Sequence, residues 1–246
     1  MDHCIRRIGV LAPPANVAVE REWPAYLPAG VVMNHNRLSR PSVGVAKGDL
    51  LAMNASVERA ARDLAYARPD VIAYACTSGS FLEGRGSEGA VARQIEAVTG
   101  IAAFTTSEAV TGALDALSAR RVFMITPYPD AVNAEEVAFL AHYGFEVAGV
   151  EAFGCETSAE IRALSSTQVA GLALDHRSRI GACDALFISC TNLLTMNEID
   201  GLEAALGVPV VTSNQTTLWM ALARLGIDLP EGPGALFRHA WSGGLV

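Results

Sequence analysis

The chain has little charge, and of that little the basic share is the smaller. Only 18% of its 246 residues are charged, and 18 Lys and Arg stand against 26 Asp and Glu, for a formal net charge of −8. No basic stripe is present to follow a phosphate backbone, which argues against nucleic acid as a partner. Long apolar runs are missing as well. None reaches the ~18 residues of a membrane-spanning helix, so no membrane partner is expected. The first apolar run, in MDHCIRRIGVLAPP, meets Pro13 and Pro14 too early to serve as the core of a signal peptide. A cytoplasmic location is the expectation.

Metal-binding spacings are absent too. The five cysteines (Cys4, Cys76, Cys155, Cys183 and Cys190) are odd in number and contain no C-x-x-C, and the five histidines form no H-x-x-x-H or H-E-x-x-H pair. Neither a disulfide framework nor a structural zinc site is expected. No G-x-G-x-x-G follows the first strand, and P-loop spacing does not occur. The glycines of GRGSEG at 84–89 come after the Cys76 turn and carry Glu88, which would repel a phosphate. The expectation is an enzyme or binding protein with no metal and no cofactor.

What is present is apolar residue, 51% of the chain, with a mean hydropathy of +0.29. That suits parallel strands buried on both faces. The chain also repeats itself at an offset of 114. RRIGVLAPPAN from Arg6 answers to RRVFMITPYPD from Arg120, and Gly30 before a short strand answers to Gly144. Asp70 to Cys76 (DVIAYAC) answers to Asp184 to Cys190 (DALFISC), and a threonine follows each cysteine. Beyond the cysteines the offset drops to 107, with GIAAFTTSEA from Gly100 against GVPVVTSNQT from Gly207. The first copy carries an extra Gly-rich piece, EGRGSEG, at 83–89.

Apolar runs at 8–12, 31–35, 71–75 and 101–105 read as strands, and so do those at 122–126, 146–150, 185–189 and 208–212. Helical stretches lie between them at 56–67, 90–98, 133–142, 160–175 and 197–206, and the helix over 108–118 answers to the last one, QTTLWMALARLG. Alternation of this kind implies parallel sheets with crossover helices. The predicted fold is α/β: two pseudo-two-fold-related, Rossmann-like (flavodoxin-like) lobes, each a four-stranded parallel sheet flanked by helices. Residues 1–117 would form the first lobe, completed by 213–246, and residues 118–212 the second.

In open α/β sheets, ligands bind beyond the carboxyl ends of the strands. Cys76 and Cys190 each fall at such an end, ahead of a turn into a helix. A helix N-terminus would lower the thiol pKa and favour thiolate, which iodoacetamide would then find ahead of the other cysteines. Its free amides, at Thr77, Ser78, Thr191 and Asn192, would hold a carboxylate, with the hydroxyls of Thr77, Ser78 and Thr191 adding donors. Two lobes related by a two-fold would set the two thiols on opposite faces of one small acid, as proton removal on one face and return on the other requires. Cys4 and Cys183 lack this context and read as structural, and Cys155 reads as packing. The PPAN turn (13–16) and RLSRPSVGVAKGDL (37–50) are candidate lids; Arg37, Arg40 and Lys47 in the latter would attract an anion.

The segments PPANVAVERE (13–22), ACTSGS (75–80), TPYPDAVNAEE (126–136) and SCTN (189–192) resemble the maleate cis–trans isomerase branch of the aspartate/glutamate racemase superfamily, over about residues 1–225. The resemblance implies that Cys76 attacks or deprotonates the substrate, that Cys190 is its acid/base partner, and that Asn16 and Tyr128 contact a substrate carboxylate. Asn16 also reads as a helix N-cap. One departure concerns Ser158, where maleate isomerases carry asparagine. Arylmalonate decarboxylases, a neighbouring branch, have glycine in place of the first cysteine, so Cys76 favours two-sided chemistry. The leading reading is a cofactor-independent isomerase or racemase of a small carboxylic or dicarboxylic acid. The alternatives are an arylmalonate-type decarboxylase with Cys190 as proton donor and a non-catalytic small-acid binding protein. Self-association into a homo-oligomer is left open.

The absence of ligand spacings carries a direct expectation. Activity should survive exhaustive dialysis against EDTA unchanged; a loss that a divalent metal restores would overturn the metal-free reading.

Overall fold

The computed structural model describes residues 5–82, 86–229 and 231–240. Cys4, residues 83–85 of the Gly-rich insertion and the tail from Trp241 lie outside them.

Among the described residues, eight strands form two parallel four-stranded sheets. The first contains β1 (Arg6–Ala12), β2 (Val31–Arg37), β3 (Val71–Tyr74) and β4 (Ala103–Thr105), in the order β2-β1-β3-β4. The second contains β5 (Arg121–Thr126), β6 (Glu146–Ala152), β7 (Ala185–Ile188) and β8 (Val210–Thr212), in the order β6-β5-β7-β8. The two orders are the same, as the internal repeat requires. Inner strands are apolar on both faces because helices cover both: every residue of β3 and of β7 is buried. The edge strand β6 is largely half-buried and exposed at both ends.

The repeat reaches down to the caps. Thr105 and Glu108 form a capping box at the start of helix Thr106–Ala116, and Thr212 and Gln215 form one at the start of helix Ser213–Arg224. In each, the threonine hydroxyl accepts the N3 amide and the N3 side chain accepts the cap amide. These two helices, at equivalent places in the repeat, pack on each other across the molecule. Thr106 and Thr217 share a hydroxyl hydrogen bond of 2.9 Å in that contact. Every residue from Ser213 to Leu222 is buried, so the last helix lies in the core between the sheets.

Two predicted stretches differ in detail. The helix expected over 160–175 is two helices, Ser158–Ala163 and Ser166–Asp175. Leu164 adopts an extended conformation, and Ser165 with Gln168 opens a second capping box. The S-x-x-Q pattern outweighs the continuous apolar period there. Residues 37–50, expected as loop, run into helix Lys47–Asn54. Their preceding loop crosses to the other lobe, where Gly44 bridges Thr157, Val45 N–H donates to Glu156 O (3.1 Å) and Ser158 N–H donates to Val43 O (3.2 Å). Lys47 Nζ adds an ion pair to Glu135 at 2.5 Å.

Gly100 and Gly207 end equivalent helices with φ of +70° and +73°, a conformation in which a side chain is strained. A Cβ at Gly207 would meet no atom within 4 Å, so its cost is conformational rather than steric. Gly207→Ala should lower the free energy of unfolding by about 1 kcal/mol in urea titrations without changing activity.

Candidate active site

The carboxyl ends of the inner strands β1, β3, β5 and β7 converge on one cleft. Turns after β1 and β5 supply Asn16 and Tyr128, and those after β3 and β7 supply Cys76 and Cys190. A cavity of about 30 Å³ opens between them, lined by Asn16, Cys76, Ser78, Tyr128, Cys190, Thr191 and Asn192 together with Arg40 and Ser158. Of the predicted site residues, Thr77 alone is not part of that lining. Cys155 is buried outside it, and Cys183 lies away from the cleft with its thiol bonded to Arg179 O.

Cys76 is the N-cap of the short helix Thr77–Phe81. Its sulfur accepts the Gly79 amide at 3.3 Å and stands 4.0 Å from Ser78 Oγ. Cys190 is placed differently. No helix begins directly after it; a turn leads to the 3-10 helix Met196–Glu198 and then to helix Ile199–Leu206. The expected helix terminus at Cys190 is therefore replaced by a single amide, Asn192 N–H, 3.4 Å from the sulfur. Cys190 also has φ of +107°, a strained conformation for a residue with a Cβ. Its own amide is held by Ser213 Oγ at 3.0 Å. Tyr128 lines the cavity with Cys190, and its hydroxyl acts on that thiol.

The expectation of lowered thiol pKa values is overturned. Burial pushes Cys76 up, against the pull of the Gly79 amide, Ser78, the Arg40 charge and Tyr74. Burial pushes Cys190 up to about 12, against Tyr128 and the Asn192 amide. Desolvation of a thiolate exceeds what one or two amide dipoles return. Both thiols thus rest protonated near neutral pH, and preferential alkylation of this pair is not expected of the resting protein.

Several hydroxyls read as substrate donors are occupied elsewhere. Thr77 Oγ1 donates to Ser213 Oγ (2.9 Å), and Thr191 Oγ1 donates to Ala75 O (2.9 Å). Asn16 donates from Nδ2 to Thr191 O and Oγ1, both at 3.0 Å, while its Oδ1 accepts the amides of Ala18 and Val19. The cap and the cavity position of Asn16 coexist. Of the three lid cations, Arg37 pairs with Glu20 and Lys47 with Glu135; Arg40 is the one on the cavity.

Two acids were not singled out in the sequence. Glu22 reaches from the first repeat to the loop after Cys190, where it accepts the amides of Thr195 and Met196 and Asn214 Nδ2. Glu136 is fully buried behind Cys190. It accepts from Ser189 Oγ at 2.6 Å, and its second oxygen has no partner among the described residues. Glu136 sits in helix Asp130–His142 like any charged helical residue, and its burial follows only from how that helix packs.

Paired thiols at equivalent strand ends of two like α/β lobes are the architecture of the aspartate/glutamate racemase superfamily. Within it, the chain belongs to the arylmalonate decarboxylase family, whose model matches residues 8–237. It is 34% identical to a maleate isomerase of Nocardia farcinica, over 96% of each chain. It is 30% identical to an arylmalonate decarboxylase of Bordetella bronchiseptica, over 94% of this chain and 95% of that one. Among solved structures, it resembles a cysteine-to-alanine mutant of a Pseudomonas putida maleate isomerase with maleate, with a TM-score of 0.87 and 25% identity over 97% and 99% of the two chains. It also resembles a cysteine-to-serine mutant of the Nocardia farcinica maleate cis–trans isomerase with a covalently bound succinylcysteine intermediate, with a TM-score of 0.84 and 29% identity over 95% and 98%.

Burial of Glu136 carries a pH dependence. Its carboxyl ionises near 4.5 when solvated and near 8 in the fold, because burial disfavours the charge. A raised pKa gives stability that is complete below about 4.5 and is lost as pH rises through about 8. Glu136→Gln keeps the Ser189 bond and never ionises. Thermal melts should show the wild type losing Tm relative to Glu136→Gln between pH 5 and 9; a constant difference would contradict it.

Proposed function

We propose that this protein is a cofactor-independent cis–trans isomerase of a small carboxylic or dicarboxylic acid, maleate-like in size, with Cys76 as nucleophile and Cys190 as acid/base partner. The observation that carries the reading is the pair of buried thiols, one from each lobe, lining a single cavity. Maleate isomerases among the relatives, and the succinylcysteine captured in one of them, support it.

Cys76 is the nucleophile of choice because more groups act to hold its thiolate: an amide, a hydroxyl and the charge of Arg40. The acid's own carboxylate takes the Cys76 proton as it binds and returns it when Cys76 leaves; the thiolate adds to one alkene carbon of the bound acid, and the π electrons move onto the neighbouring carbon and its carboxylate. Cys190, whose sulfur faces Tyr128, gives its proton to that carbon. The former double bond is then single and free to rotate. After rotation Cys190 takes the proton back, the double bond re-forms, and Cys76 leaves as thiolate. No atom or electron is gained or lost, so nothing but the two thiols and the acid itself has to cycle. A saturated succinyl adduct is what addition of thiol and proton across the double bond would give. Ser78, Asn192, Tyr128 and, in exchange for one of its Thr191 bonds, Asn16 would hold and orient the carboxylate, and Thr77 and Thr191 would position the cysteine turns.

Decarboxylation is the weaker reading. It needs one proton donor, Cys190, and leaves Cys76 without a role. A non-catalytic binding protein would have no use for either thiol at the price of two desolvated sulfurs.

Proton NMR of the enzyme with maleate should show the fumarate resonance growing with no release of CO2. Cys76→Ser and Cys190→Ser should each reduce the rate by at least ~100-fold, the scale of a positioned acid or base, with unaltered circular dichroism. Intact-mass spectrometry of Cys190→Ser should show an adduct on Cys76. Wild-type rates in both serine variants would reject the two-thiol mechanism.

A further inference from the structure

Among the described residues that line the cavity, Arg40 is the one cation and none is a carboxylate. Arg40 is half-buried and makes no ion pair among the described residues; its hydrogen bonds go to neutral acceptors. Nη2 donates to Ser158 Oγ at 2.6 Å and Nε to Ser42 O at 2.9 Å. Its neighbours in the same segment, Arg37 and Lys47, each have a carboxylate. Val45, Leu50 and Ile161 complete the lining contributed by these segments. A guanidinium flanked by apolar walls and hydroxyls carries a charge that its surroundings do not neutralise, and a carboxylate suits its planar fork better than any other ligand of this size.

The strand ends offer the other half of the arrangement. Donors and thiols gather at Cys76, Ser78, Cys190 and Asn192, where the reacting carboxylate would lie, while Arg40 comes from the covering loop together with Ser158 of the facing helix. The cavity, at about 30 Å³, has room for only one or two waters. A four-carbon acid therefore has to displace something. The Arg40–Ser158 bond is the contact across the cleft that a second carboxylate would take over.

Building on the isomerase reading, we infer that Arg40 is a specificity-determining residue that binds the second carboxylate of a dicarboxylate ligand in exchange for the Ser158 hydroxyl, and so selects dianions over monoanions. Its charge also acts on Cys76, lowering that thiol against the effect of burial. Binding a carboxylate there would screen this effect, so Arg40 ties the charge state of the ligand to that of the nucleophile.

The test uses unreactive acids, so that it does not depend on turnover. Succinate and butyrate differ by the second carboxylate, and both are titrated calorimetrically into wild type, Arg40→Met and Arg40→Lys. Wild type should bind succinate at least about tenfold more tightly than butyrate. Arg40→Met should bring the two within about twofold by weakening succinate alone, and Arg40→Lys should fall between, since it keeps the charge but not the fork. A succinate preference unchanged in Arg40→Met, equal weakening of both acids in that variant, or a wild type that does not prefer succinate would each overturn the inference. An Arg40-dependent succinate preference in a protein that leaves maleate unchanged would support the inference and reject the isomerase reading alone.

Discussion

Everything at this site depends on a short set of buried hydrogen bonds that stitch the two cysteine turns together. Ser213 Oγ accepts from both Thr77 Oγ1 and the Cys190 amide, linking the residue after one cysteine to the backbone of the other. In the opposite sense, Thr191 Oγ1 donates to Ala75 O, linking the residue after the second cysteine to the residue before the first. Asn16 then caps the Thr191 carbonyl. Each donor is out of reach of water, so breaking any of these bonds costs about 1–3 kcal/mol for the group left unpaired. This seam sets how far apart the sulfurs can be, and it holds Cys190 in a backbone conformation that it would not adopt alone.

Burial sets the chemistry as firmly as the seam sets the geometry. Burial of the two sulfurs keeps both thiols protonated at rest and makes every remaining dipole count for more. Stabilisation of a thiolate has to come from fixed groups: the Gly79 amide and Arg40 for Cys76, the Asn192 amide and Tyr128 for Cys190. Those two sets are unequal although the lobes are alike. Only the first cysteine caps a helix, and a cation counts among the main influences only on the first. An internal repeat with equivalent strand ends thus holds two thiols in unlike surroundings.

Much of this was legible in the chain itself. The Asp-to-Cys-Thr repeat at an offset of 114 located both thiols, and the apolar runs located all eight strands and the strand ends at which a site would form, because parallel strands buried on both faces leave a plain apolar signature. The paired threonine capping boxes and the glycines at 100 and 207 are local chemistry, written within a few residues of one another. The break at Leu164 was local too, in the S-x-x-Q that begins at Ser165, but a continuous apolar period masked it.

What only the tertiary structure decided concerns burial and partners distant in sequence. The thiol pKa values could not be read from helix position, since desolvation by the facing lobe outweighs the dipole of a single turn. Glu22 and Glu136 look like ordinary helical carboxylates until helices from elsewhere enclose them. Arg37, Arg40 and Lys47 are alike in sequence, and only the fold brings acids to two of them and leaves the third facing the cavity. Sequence determines where a residue lies along its strand or helix, because that depends on near neighbours; its charge state and its partner depend on which distant surface removes it from water.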